Sequence, residues 1–154
     1  VETTFSLLNS DDSKQFFDIL PKDWQDEIVP FWHNYKNDSK IYVIKEHEQI
    51  IGGGIVFSTC PPDVDYYKKE AQQWFDKDFH YLGFIWIDEN KRNRNLGSYW
   101  LEELKKANPN QKYWLLIEEE HLHRFYQKNG FVLDKMIVNN GTPEWLYSFE
   151  QNQY

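Results

Sequence analysis

The stretch from Tyr81 to Ala107 constrains this chain more than any other. Tyr81-Leu82-Gly83-Phe84-Ile85-Trp86-Ile87 is aromatic and β-branched and predicts a largely buried strand. Asp88 to Asn95 holds three Asn and no apolar residue, which predicts a loop. Leu96, Tyr99, Trp100, Leu101, Leu104 and Ala107 then recur at helical spacing, with Glu102, Glu103, Lys105 and Lys106 on the other face. A helix that opens straight from such a turn points its unpaired N–H groups, and the positive end of its dipole, at whatever lies above the turn. That arrangement suits a phosphate. Arg92 and Arg94 add charge beside it, Gly97 lets a ligand approach without meeting a Cβ, and Ser98 offers a hydroxyl donor.

These residues also carry a resemblance. Arg92-Asn93-Arg94-Asn95-Leu96-Gly97 resembles the acetyl-CoA pyrophosphate loop of the GNAT N-acetyltransferase superfamily, Gln/Arg-x-x-Gly-x-Gly/Ala, with Arg92 first and Gly97 last. Asn95 stands where the family has its middle Gly. Asn is the residue after Gly that best tolerates a left-handed backbone, so the loop geometry is expected to survive. A second motif follows in the family's order: His123-Arg124-Phe125-Tyr126-Gln127-Lys128-Asn129-Gly130-Phe131 is similar to the later helix that ends Phe-Tyr-x-x-x-Gly-Phe. Together the motifs cover the C-terminal part of the chain. The resemblance implies an α/β (α+β) fold of the GNAT type, one domain over 1–154. Its mixed, mostly antiparallel central sheet of about seven strands would be splayed between the fourth and fifth and flanked by helices.

With 154 residues the chain is one domain by length, and 18% aromatic residues with seven Trp mark it as folding around a substantial core. A formal net charge of −8 argues against general nucleic-acid binding. The lone basic cluster, Lys91-Arg92-Arg94, fits one small polyanion better than a duplex. Overall acidity favours cationic substrates such as amines, though acidic surfaces are ordinary. Cys60 is the single cysteine, so neither an internal disulfide nor a cysteine metal cluster is expected. No leader pattern opens the sequence and no apolar run approaches a membrane span, so a soluble, cytoplasmic protein is expected.

Taken in order, Thr3 to Leu8 predicts a strand. Asn9 to Asp12 supplies capping chemistry for a helix closed by Pro21, and Asp23 to Tyr35 predicts a second helix broken or bent at Pro30. Phe31, Trp32 and Tyr35 either pack that helix on the sheet or line a substrate pocket. Lys40 to Lys45 and Gln49 to Ser58 predict two strands, with Gly52-Gly53-Gly54 marking a bulge or close backbone approach rather than a phosphate loop. Asp65 to Phe75 predicts a helical insertion that either covers the acceptor side or makes a dimer contact. Lys112 to Ile117 predicts a strand, Gly130 a left-handed helix cap, and Phe131 to Val138 with Trp145 to Phe149 a hairpin turned at Asn139 to Pro143.

The resemblance also implies roles. Acetyl-CoA would lie in the splay, its pantetheine arm on the backbone of Ile85, Trp86 and Ile87. The amides of Arg94, Asn95, Leu96, Gly97 and Ser98 would hold the pyrophosphate, with Asn93 in the same loop and Arg92 as a flanking cation. A small amine, amino acid or peptide N-terminus would attack the thioester. Tyr126 occupies the family's acid position, where an ordinary phenol stays protonated at neutral pH, or it is an aromatic core residue. Glu118 is the best-placed carboxylate for a base; Glu119 and Glu120 read as helix N-terminal charges. His80, His121 and His123 are either bases or surface residues, and spacing of two keeps His121 and His123 from sharing one helical face as zinc ligands. The alternative is a GNAT-fold module that holds CoA for regulation without turnover, motivated by Asn95 and by His80 and Tyr81 standing where some members carry a carboxylate. The acceptor, acyl length and any homodimer are left open.

Overall fold

The computed structural model describes residues 2–151. One sheet contains β1 (Thr3–Leu7), β2 (Ser39–Glu46), β3 (Gln49–Phe57), β4 (Phe79–Ile87), β5 (Lys112–Ile117), β6 (Val132–Asn139) and β7 (Thr142–Phe149). Their spatial order is β1-β2-β3-β4-β5-β7-β6, and every neighbour pair is antiparallel except β4 and β5. The helices are α1 (Ser13–Phe17), α2 (Lys22–Ile28), α3 (Trp32–Tyr35), α4 (Lys68–Asp76), α5 (Leu96–Ala107) and α6 (Leu122–Lys128). The expected mixed, mostly antiparallel sheet with its splayed parallel pair is therefore present.

The parallel pair is where the sheet opens. Phe79, His80 and Tyr81 face Lys112, Tyr113 and Trp114, and the pairing stops there although the strands run on to Ile87 and Ile117. Beyond Tyr81 the β5-facing polar groups of β4 lack a strand partner, and backbone groups in that state must find another one. A bulge re-aims β4 at this point: Gly53 pairs with Trp86 but Ile55 with Gly83, and Phe84 in the extra length takes φ 55°. Positive φ at a bulky residue is strained and persists only where its surroundings impose it. The β4–α5–β5 crossover then carries the N-terminus of α5 to the open end of the V.

Glycines let helices press on both faces. A Cβ at Gly53 would stand 2.6 Å from the Tyr42 carbonyl oxygen and 2.9 Å from Phe16 of α1, and one at Gly54 would stand 2.7 Å from Trp100 of α5. Close backbone approach is thus the reason for the run, and register shifts occur beside it in both neighbouring pairings. Trp100 is fully buried, and its Nε1 donates to the Tyr42 carbonyl at 3.0 Å. Truncating such a residue to Ala costs about 3–5 kcal/mol. Successive side chains in a strand point to opposite faces, so α1 and α5 lie on opposite sides of the sheet.

Local signals behave as their chemistry requires. Asn9 accepts from the Asp11 amide at 3.0 Å, the segment after α2 breaks at Pro30 into a short 3₁₀ turn and α3, and Gly130 takes φ 87° after α6. Two readings need correction. Ala107 is exposed, since the last turn of α5 runs past the edge of the core. The final hairpin turns on Asn140 and Gly141 alone, at φ 50° and 81°, so Thr142 and Pro143 belong to β7. Two left-handed residues match the right-handed twist of a hairpin and make the tightest connection.

Candidate active site

The loop after β4 is shaped by two left-handed residues, Asn93 at φ 64° and Asn95 at φ 57°. Asn95 is the N-cap of α5 but makes no side-chain cap bond, so its contribution is its backbone conformation. The loop is also tied down. Asp88 N–H donates to the Ile51 carbonyl at 2.8 Å, and the Asp88 carboxylate accepts from the Asn90 amide at 2.9 Å. Arg92 folds back onto β4, its Nε donating to the Ile87 carbonyl at 3.1 Å and its guanidinium lying 4.4 Å over the Trp86 ring. Arg94 pairs with Glu46 at the end of β2, and Lys91 Nζ stands 3.6 Å from the same carboxylate. Both expected phosphate-side arginines are thus engaged by protein groups.

Gly97 has a different neighbour from the expected one. A Cβ there would stand 2.9 Å from the Phe125 ring, so α6 packs against the first turn of α5 at this point. Ser98 joins the same contact by accepting from Asn129 Nδ2 at 3.1 Å. The next residue of α6, Tyr126, is buried among Phe125, Phe131 and Tyr147, and burial alone raises its phenol above the ordinary range. Its proton is therefore held throughout the neutral range. His123 shares a hydrogen bond with the Tyr147 hydroxyl.

On the other face, acidic side chains from four elements converge: Glu27 of α2, Asp63 in the 3₁₀ turn Pro62–Tyr67, Glu118 after β5, and Glu144 of β7. Tyr66 joins the insertion to the sheet by donating to both oxygens of Glu144, at 2.7 Å to Oε1. Glu144 is 5% exposed. Burial raises its carboxyl, the Tyr66 bond opposes that, and Glu118 adds like charge. Burial followed by Asp23 and Glu118 raises Glu27 as well. Asp63 is open to solvent, yet protein surrounds it on most sides, as on the wall of a cleft. Desolvation, then Glu27, then Glu144 and Glu118 push its carboxyl up to about 7, against a backbone hydrogen bond of its own. Water at its open side screens part of that effect. Among the described residues no cation forms a salt bridge with any of the four. Tyr81, 4% exposed, faces this cluster from the apex of the splay, near Asp63, Tyr66 and Glu144.

Residues 37–133 match the family described as Acetyltransferase (GNAT) domain. The chain belongs to this GNAT acetyltransferase family. No curated protein matches it in sequence. Solved GNAT-type structures share the fold at low identity. Aminoglycoside 6′-acetyltransferase type Ii aligns with a TM-score of 0.71 at 13% identity, over 96% of each chain. A GNAT family acetyltransferase from Elizabethkingia anophelis, with acetyl-CoA bound, aligns at 0.62 and 17% identity over 97% of this chain and 98% of that one. PaiA N-acetyltransferase from Thermoplasma acidophilum, in complex with coenzyme A, aligns at 0.62 and 12% identity over 98% of this chain and 100% of that one.

The GNAT chain thus brings together Ile85, Trp86 and Ile87 at the unpaired end of β4 with the 92–98 loop, while Glu118 and Tyr126 belong to opposite faces. Trp32 and Tyr35 pack against Phe17 and Phe57, as core residues do, while Phe31 is exposed. Trp24 instead reaches β4, edge-on to Phe84 and Trp86. Sequence reasoning missed Glu27, Asp63, Tyr66, Glu144 and Glu46. One signal was available: Glu144 shares a strand face with Leu146, which puts a carboxylate on an inward-facing position. Among the described residues no helix is long and apolar enough to cross a membrane.

Proposed function

We propose that this protein transfers the acetyl group of acetyl-CoA to the amine of a cationic small molecule, amino acid or peptide in the cytoplasm. The observation that carries the amine is the group of Glu27, Asp63, Glu118 and Glu144, which gathers negative charge beside the splay with no cation paired to it among the described residues. Carboxylates kept close together and partly dehydrated gain most from a ligand that brings positive charge. The neighbours named as an aminoglycoside acetyltransferase and as an N-acetyltransferase support that chemistry, and those named as complexes with acetyl-CoA and coenzyme A support the donor.

In this reading the backbone of Ile85, Trp86 and Ile87 receives the pantetheine arm as an added strand. The amides from Arg94 to Ser98, at the N-terminus of α5, receive the pyrophosphate. The carboxylate group, Glu118 among them, draws the ammonium in and takes its proton, so that a neutral nitrogen attacks. A β4 amide freed by the splay donates to the oxygen that becomes negative in the transition state. Tyr126 gives its proton to the departing thiolate.

Free thiol release, followed across amines, polyamines, amino acids and neutral alcohols, tests the reading. Release should require an amine and rise with cationic acceptors. Tyr126→Phe should lower kcat about 100-fold with acetyl-CoA binding intact. Tight acetyl-CoA binding with no thiol release from any amine would replace the enzyme by a regulatory CoA-binding module.

A further inference from the structure

Arg94 lies between the two left-handed residues of the loop, Asn93 and Asn95. A turn with such a backbone needs something outside itself to hold it. Glu46 supplies this. It is the last residue of β2 and only 4% exposed although it lies near the molecular surface, because the loop's own side chains help to cover it. Its Oε1 accepts from Arg94 Nη1 at 3.4 Å and stands 3.6 Å from Lys91 Nζ. Its Oε2 accepts from Arg94 Nη2 and, at 3.1 Å, from the Thr3 hydroxyl of β1. The Arg94 bond, helped by Thr3 and Lys91, outweighs dehydration and holds this carboxyl at about 2.

The direction of these contacts matters. β2 is two strands from β4 on the side away from β5, so Arg94 is drawn away from the splay. Arg92 is held on Trp86 and the Ile87 carbonyl. Every cation of the basic cluster is therefore turned toward protein, which leaves the backbone N–H groups at the start of α5 as the donors at the open end of the V.

We propose that Glu46 is the positioning residue of the donor loop: it clasps Lys91 and Arg94 onto the β2–β3 hairpin and so presents the amides of Asn95 to Ser98, the two cations fastening the loop instead of binding phosphate. This rests on the acetyl-CoA reading of the loop. Glu46 touches no reacting atom and acts through Arg94.

A double-mutant cycle of Glu46→Gln and Arg94→Gln tests it, with the acetyl-CoA Kd from calorimetry, the KM for the amine, and amide hydrogen exchange over residues 92–98. Each single change should weaken acetyl-CoA binding about tenfold, and the double variant should bind no worse than either. The amine KM should stay put, and exchange of the loop amides should rise in Glu46→Gln. Glu46→Gln with unchanged or tighter binding while Arg94→Gln weakens it would overturn the proposal, as would additive losses, since Arg94 would then be a phosphate ligand. Arg94→Lys, which keeps the charge but loses the two-pronged contact, serves if Glu46→Gln does not fold, and it should also loosen the donor. A parent that binds no acetyl-CoA would strike the underlying reading only. Loop exchange would then decide the clasp alone: faster exchange in Glu46→Gln upholds it and unchanged exchange overturns it.

Discussion

Replacing Asp63 by Asn should make the free protein more stable, and increasingly so as pH rises. The carboxyl moves from an ordinary 3.8 to about 7 in the folded chain. A folded-state pKa raised above the unfolded one means that the folded form binds the proton more tightly. The resulting stability is complete below about pH 4 and is lost as pH climbs through about 7. About three units at roughly 1.4 kcal/mol each would make ~4 kcal/mol. Asp63 keeps an open side to water, however, and screening there reduces the effect to about 1 kcal/mol. For a domain of this size that is about 2–4 °C in Tm. Urea denaturation of both proteins at pH 3.5 and pH 8 measures it. The variant should nearly match the parent at pH 3.5, below both pKa values, and exceed it by about 1 kcal/mol at pH 8. It should also use cationic acceptors less well, because stability at this site comes at the expense of binding. A stability difference that does not grow with pH would refute the argument that these carboxylates repel one another without a counter-ion.

Three further outcomes follow from individual contacts. Asn95→Ala should destabilise the protein by about 1 kcal/mol, since Ala bears the full penalty of a left-handed backbone, while Asn95→Gly should be neutral or better; chemical denaturation of the pair checks this. Gly53→Ala should cost about 3 kcal/mol, because its Cβ would meet a backbone oxygen that cannot step aside, and a fall in Tm of several degrees would report it. Glu144→Gln keeps the shape but halves the grip on Tyr66, and should raise the KM for a cationic acceptor several-fold with the acetyl-CoA Kd unchanged.

The sequence was most readable where a local pattern and a local cause coincide. The strand, polar turn and helix expected from Tyr81 to Ala107 follow from residue type and helical periodicity, and the structure starts the strand two residues earlier, at Phe79. Asn95 was expected to accept a left-handed backbone, and does so at φ 57°. Gly130 caps α6 for the same reason. What stayed hidden lies in contacts between distant segments. Arg94 meets a carboxylate 48 residues away, so nothing in the basic turn shows that its charge is already engaged. Asp63 looked like part of a Pro-rich break, and Glu27 like an ordinary polar position on α2. Only the insertion folding over the end of the sheet makes them neighbours of Glu118 and Glu144. Gly97 fits its motif, but the atom pressing on it is Phe125 of the second motif, a link that spacing along the chain cannot reveal.

The most direct measurement is calorimetric titration of the folded protein with acetyl-CoA. Saturable binding at one site, competed by free CoA, is the predicted result. A folded protein that binds neither acetyl-CoA nor CoA would contradict the account, because the left-handed turn at Asn95 and the open end of β4 would then lack the ligand that explains them.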